Sequence, residues 1–137
     1  MAEEVGREIS KKGAILICVG LGGVMEASAR GAKAEGGITV GILPGFDPSD
    51  ANPFIDIKII TGLSHARNVL IVRSSDALIA VSGGYGTLSE IAIALKLQKP
   101  VVGLKTWDIS PAIVQAGNAE EAVKKAIEQL NAQGKTS

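Results

Sequence analysis

The residues Ser82-Gly83-Gly84-Tyr85-Gly86-Thr87 follow the aliphatic run 77–81 and open an apolar-periodic stretch, the setting of a strand-to-helix turn. Glycines let the backbone come close to a ligand and turn successive N–H groups the same way. A helix start adds unpaired N–H donors and a partial positive charge, so an anion is favoured there. Thr87 could donate its hydroxyl to the same group. The alternative is a tight turn whose glycines serve only sterics. We read the motif as a phosphate site made by Gly83, Gly84, Tyr85, Gly86 and Thr87.

Two familiar phosphate motifs are excluded by the residues themselves. A P-loop needs Gly-Lys-Ser/Thr, and no such triplet follows the glycines. A dinucleotide fingerprint needs a third glycine where Ser89 stands after Gly84-x-Gly86, and where Met25 stands after Gly20-x-Gly22. No acidic residue closes a strand about 20 residues on to hold a ribose. An NAD site is therefore not expected.

Other polar residues each carry two readings. Glu90 completes Thr-x-x-Glu with Thr87, which is a capping box; as a carboxylate beside a bound phosphate it could equally touch a ribose or act as an acid/base. Arg67, early in a helix after Thr61-Gly62, could pair with a phosphate or carboxylate, or lie solvated on the surface. Glu26 could reach the ligand crevice, although a charge at a helix N-terminus is the commoner role. His65, the one histidine, reads as a surface residue, and with a single cysteine it rules out a structural zinc site. Asp47, Asp50 and Asn52 lie beside prolines and read as turn formers rather than metal ligands. Cys18 sits inside an aliphatic run and reads as a small buried hydrophobe in a reducing compartment.

These residues need elements to position them, and the pattern alternates helix and strand. Helices are expected over 2–12, 24–34, 63–74, 87–98 and 119–131, the last opened by an Asn118–Glu121 capping box. Strands are expected over 14–19, 38–43, 57–60, 77–81, 101–104 and 112–114, with an irregular loop over 46–53. Hydrophobic residues make up 46% but aromatics only 3%, so the core is aliphatic, as in parallel sheets covered by helices. The expectation is one α/β domain over 1–137: a doubly wound, Rossmann-like parallel sheet of about six strands with helices on both faces. Ligands in such sheets bind beyond the strands' carboxyl ends, which singles out 20–25, 44–53, 61–68, 82–90 and 105–110.

Fourteen basic residues balance fourteen acidic ones, so no global field recruits nucleic acid or a membrane surface. No apolar stretch approaches the roughly 20 residues of a membrane span, and no signal-type segment opens the chain. A cytoplasmic protein is expected. Small residues over 24–34 and 87–97 would let helices approach a symmetry mate, giving a homodimer or a tetramer of dimers.

Four motifs in order carry a family resemblance: Gly22-Gly23-Val24-Met25-Glu26-Ala27; Gly36-Gly37-Ile38-Thr39-Val40-Gly41-Ile42-Leu43-Pro44; Thr61-Gly62-Leu63 with Ala66-Arg67-Asn68; and Gly83-Gly84-Tyr85-Gly86-Thr87-Leu88-Ser89-Glu90. Over about 2–128 the chain resembles the LOG/molybdenum cofactor carrier group. In LOG-type phosphoribohydrolases the last motif reads Pro-Gly-Gly-x-Gly-Thr-x-x-Glu. That resemblance implies Arg67 and Glu90 as a catalytic pair, cleaving the N-glycosidic bond of a nucleoside 5′-monophosphate to give base and ribose 5-phosphate. Ser82 replaces the motif's Pro, and Asn68 the usual Lys.

The first and third motifs look more like the carrier branch, whose members bind molybdenum cofactor, a pterin carrying a phosphate. On that likeness Gly22, Gly23 and Met25 join the binding residues, and dimers are again implied. The family begins with a strand and a glycine turn that this sequence lacks before its first helix, and that strand would lie inside the sheet. The expected function is carrier-like binding of a phosphorylated nucleotide or pterin. The alternatives are a LOG-type phosphoribohydrolase, or a non-catalytic regulatory or interaction domain.

Overall fold

The computed structural model describes residues 1–134, and the chain divides into two compact units, Met1–Ile71 and Val72–Ser137. The first unit holds α1 (Ala2–Lys11), β1 (Leu16–Cys18), α2 (Val24–Ala34), β2 (Thr39–Leu43) and β3 (Ile57–Ile60). α3 (Arg67–Ser74) runs across the division. The second unit holds β4 (Leu78–Val81), α4 (Tyr85–Lys96), β5 (Val101–Leu104), β6 (Val114–Gln115) and α5 (Ala119–Ala132). Among the described residues no helix is long and apolar enough to cross a membrane.

In the first unit β2 lies between β1 and β3, and both pairings are parallel. Consecutive strands can pair in parallel only through a crossover, and α2 supplies it between β1 and β2. α1 and α2 pack so closely that two glycines are required. A Cβ on Gly6 would lie 1.9 Å from the Ser28 carbonyl oxygen, and one on Gly31 would lie 1.9 Å from that of Glu3. The contact is reciprocal, backbone against backbone. Below it, Leu16, Cys18, Ala29, Ala32 and Ile55 form one apolar cluster, and Val19, Ile42 and Ile71 another. Cys18 is thus part of the core and makes no disulfide.

In the second unit β5 lies between β4 and β6, again all parallel. α4 covers one face: Ile91 and Ala94 pack with Ala80, Val101 and Ile113. α5 packs on the same strands, burying Ala119, Ala122, Val123 and Ala126. Asn118 caps α5, accepting from the Glu121 amide at 2.8 Å, while Glu121 reaches back to the Gly117 amide at 3.0 Å. The Nζ of Lys99 donates to the carbonyls of Val72, Arg73 and Ser75, closing the C-terminus of α3.

The α/β class and the parallel pairing agree with expectation, but the single six-stranded sheet does not. The described residues form two three-stranded sheets, β1-β2-β3 and β4-β5-β6. The physical reason is one of pairing. The ladder of hydrogen-bonded strands ends at β1 and β3 in one sheet and at β4 and β6 in the other, and no described strand pairs with one of the other sheet. The last strand also begins at Val114 rather than 112, because the Ser110 side chain and backbone fold 110–113 into a turn.

The reciprocal glycine contact gives a first prediction. Alanine normally stabilises a helix interior by about 1 kcal/mol over glycine. At Gly6 and Gly31 the added methyl meets backbone that cannot rotate away, so the sign reverses. Gly6→Ala and Gly31→Ala should each destabilise by about 1–3 kcal/mol, read as a lower denaturation midpoint. A raised midpoint for either variant would refute this account of the contact.

Candidate functional site

The turn between β4 and α4 is built from the carboxyl end of a buried strand. Ser82 closes the ladder, its amide donating to the Leu104 carbonyl at 3.0 Å. Its φ is +55°, an uncommon conformation for a residue with a side chain, and Gly83 follows at +111°. The Thr87 side chain lies directly over Gly83, where a Cβ would meet Oγ1 at 2.1 Å. Gly83 is therefore obligatory. Nothing crowds the Cβ positions of Gly84 and Gly86, so sterics do not account for those two glycines.

Two side chains from the segment after β5 hold the turn. Thr106 Oγ1 donates to the Ser82 carbonyl at 2.6 Å, and Trp107 Nε1 donates to the Gly84 carbonyl at 3.0 Å. Among the described residues every peptide bond is trans, so the N–H of each peptide points opposite to its C=O. Fixing the Ser82 and Gly84 carbonyls thereby fixes the Gly83 and Tyr85 amides, which face away from Thr106 and Trp107. α4 starts at Tyr85 with Gly84 as N-cap and has no side-chain cap. Its first amides accordingly lack intrahelical partners. The stretch 82–86 is exposed to solvent. A set of oriented, solvent-facing N–H groups at a helix N-terminus is a binding arrangement for an oxyanion.

This start of α4 corrects one reading of the sequence. With Gly84 as N-cap, Thr87 is the third helical residue and not the cap, so Thr87-x-x-Glu90 is not a capping box. The cue failed because Gly84-Tyr85-Gly86 carries no side-chain capping signal although the helix has already begun. Glu90 instead sits on the same helical face as Thr87, one turn further along, and is half-buried.

In the first unit, Arg67 opens α3 and is half-buried; its Nε is buried with no hydrogen-bond partner, while its terminal nitrogen donates to the Asn68 side chain. Buried guanidinium N–H groups are normally satisfied, so Arg67 is not the solvated surface residue that spacing alone allowed. Asn68 is itself buried, at 3% exposure. Gly22 and Gly23 are exposed at the N-terminus of α2, with Gly23 as its N-cap. Met25 packs against both apolar clusters of its unit, which gives it a core role. His65 is exposed and Glu26 lies in the first turn of α2.

The bracing roles had no signal in the sequence, where Asn52 read only as a turn former. Asn52, 6% exposed, donates through Nδ2 to the carbonyls of Leu21 at 2.7 Å and Gly20 at 3.3 Å, and its amide donates to Gly20 as well. It fixes the first glycine turn as Thr106 and Trp107 fix the second. Asp47 does act as a turn former, accepting from the Ser49 amide, and that bond holds its carboxyl below the usual range.

A family model described as the SLOG cluster4 family matches residues 1–133. An uncharacterised protein of Archaeoglobus fulgidus is 53% identical over 127 residues, covering 93% of this chain and 81% of that protein. A cytokinin riboside 5′-monophosphate phosphoribohydrolase of Mycobacterium tuberculosis is 35% identical over 117 residues, covering 78% of this chain and 62% of the enzyme. Among solved structures, the molybdenum cofactor binding protein of the phototrophic bacterium Rippkaea orientalis superposes with a TM-score of 0.89 at 37% identity, covering 94% of this chain and 85% of that one.

The strained Ser82 makes a prediction about the turn. Glycine has no penalty at positive φ, so Ser82→Gly should leave stability unchanged or raise it by up to about 1 kcal/mol. Proline is locked near −65° and has no N–H to give Leu104, so Ser82→Pro should cost about 2 kcal/mol or more. Chemical denaturation of the two variants beside wild type measures both. A Ser82→Pro protein as stable as wild type would contradict this backbone.

Proposed function

Because this chain belongs to the SLOG cluster4 family, within the LOG/molybdenum cofactor carrier superfamily, we propose that it binds a phosphorylated nucleotide or pterin ligand in a carrier-like way, holding the phosphate on the 83–87 turn. The observation that carries the reading is the bracing of the Ser82 and Gly84 carbonyls by Thr106 and Trp107, which aims the Gly83 and Tyr85 amides outward. The Thr87 hydroxyl, over Gly83, would add a donor. Both kinds of relative support the same ligand chemistry: one is named for a 5′-monophosphate, and the other for a cofactor that carries a phosphate.

The hydrolase reading has its own supporting observations. Glu90 is released from a capping role, and Arg67 carries a buried, unpartnered Nε. In that version Glu90 would stabilise or activate the ribosyl centre and Arg67 would orient the substrate. The chain spans less than two thirds of the matching enzyme's length, and Ser82 at positive φ gives the turn a backbone that the motif's proline could not take. The backbone at Ser82 favours the carrier.

Millimolar AMP or neopterin phosphate should raise the melting temperature, since a ligand at 100 times its Kd stabilises the native state by about 2.7 kcal/mol. No shift with either ligand, or with inorganic phosphate, would defeat the phosphate site. Chromatography of a nucleoside monophosphate panel should show no release of free base. Release that falls about 10²-fold in Glu90→Gln would instead establish the hydrolase, that being the usual scale for a positioned acid/base group. Sedimentation at micromolar concentration should give a two-fold dimer or a tetramer of dimers, and a purely monomeric species would remove that part of the reading.

A further inference from the structure

This chain has one Trp, one Tyr and two Phe in 137 residues, and the Trp and the Tyr stand together beside the glycine turn. The Tyr85 and Trp107 ring centroids are 6.2 Å apart with an interplanar angle of 25°, a stacked pair. Trp107 is anchored twice. Its indole N–H is bonded to the Gly84 carbonyl, and its body packs on the cluster of Val72, Ala80, Ile91, Ala94, Val101 and Ile113. Tyr85 is 83% exposed. Burying an aromatic ring is one of the largest apolar gains open to a side chain, and Tyr85 forgoes nearly all of it.

We infer that Tyr85, backed by Trp107, is the stacking ledge that receives the flat, fused heteroaromatic ring of the phosphorylated ligand. The inference rests on the phosphate site proposed above and adds the recognition of the ligand's other end. Tyr85 contributes twice. As the first residue of α4 its amide belongs to the anion-binding set, and its side chain presents a π-face next to it. Because Trp107 holds both the turn and the ring, the position of the amides and the position of the ledge are set by one residue. The ledge is already stacked, so a ligand has little side-chain ordering to impose on it. Every purine or pterin has a π-face, so the ledge selects for flat rings without selecting one base, as aromatic platforms for single-stranded nucleic acid do.

Trp107 is the chain's single tryptophan, so its emission reports on this place alone. Titration of the full chain with AMP or neopterin phosphate should quench that emission, whereas ribose 5-phosphate should bind in calorimetry without comparable quenching. Tyr85→Ala should weaken AMP or neopterin phosphate by about tenfold more than it weakens ribose 5-phosphate, within the range of a base stacked on an aromatic side chain. Tyr85→Phe, which keeps the ring, should restore the wild-type affinity.

Ribose 5-phosphate bound by wild type, with ring ligands indifferent to Tyr85→Ala, would overturn the ledge and spare the phosphate site. An equal loss for sugar phosphate and ring ligands in Tyr85→Ala would overturn it too, assigning Tyr85 to the turn's integrity. If wild type binds none of the three, the phosphate site and the ledge fall together.

Discussion

The site depends on two hydrogen bonds made by side chains that lie outside it. Thr106 holds the Ser82 carbonyl and Trp107 holds the Gly84 carbonyl, and a trans peptide then leaves the partnered N–H groups no choice of direction. A glycine-rich turn without such anchors would sample many backbone conformations, since glycine loses the most freedom on ordering. Here that freedom is removed before any ligand arrives. The same device serves the first glycine turn, where buried Asn52 holds the carbonyls of Gly20 and Leu21. In both units a glycine turn at a strand's carboxyl end is shaped by a polar side chain from a later loop, so the loops that look least regular set the geometry of the turns.

The strain at Ser82 belongs to this arrangement. A side-chain-bearing residue at φ +55° costs roughly 1–2 kcal/mol, and it persists because both ends of the residue are tied: its amide to Leu104 and its carbonyl to Thr106. Lys105, next to Thr106, is also left-handed, at +51°. Two strained residues thus lie at the carboxyl ends of neighbouring parallel strands, β4 and β5. Residues in such conformations cluster where backbone must be held for binding. The departure from the family's proline is accordingly a different backbone at this point and not a neutral exchange.

How much of this was legible follows from which signals are local. The bounds of α2, β3 and β5 coincide with those read from the chain, because aliphatic runs and flanking glycines are local cues. The Asn118 cap was legible for the same reason, since its side chain bonds an amide three residues away. The α4 start was missed by two residues because Thr and Glu mimicked a cap inside a helix that had begun on glycine. The segment 105–110 was singled out by its place after a strand, but the bonds of Thr106 and Trp107 span 24 and 23 residues, and nothing in Lys-Thr-Trp-Asp announces them. The strands could be counted from the sequence, but their division between two sheets could not. Pairing is a property of the ladder and shows only in three dimensions.

Charge completes the account of why the turn must be so constrained. With fourteen basic and fourteen acidic residues the protein has no long-range attraction for an anion. Affinity for a phosphate would have to come from short contacts to fixed dipoles, which fade within the first turn of a helix. A half-ångström error in the turn then matters more than it would under a strong basic patch, and rigidity replaces charge. Tyr85 fits that economy. A neutral aromatic ring adds binding energy without a field, and it does so at the residue whose amide the braced turn already directs. Selectivity would then rest on shape, with the phosphate and the ring presented to one short stretch of chain.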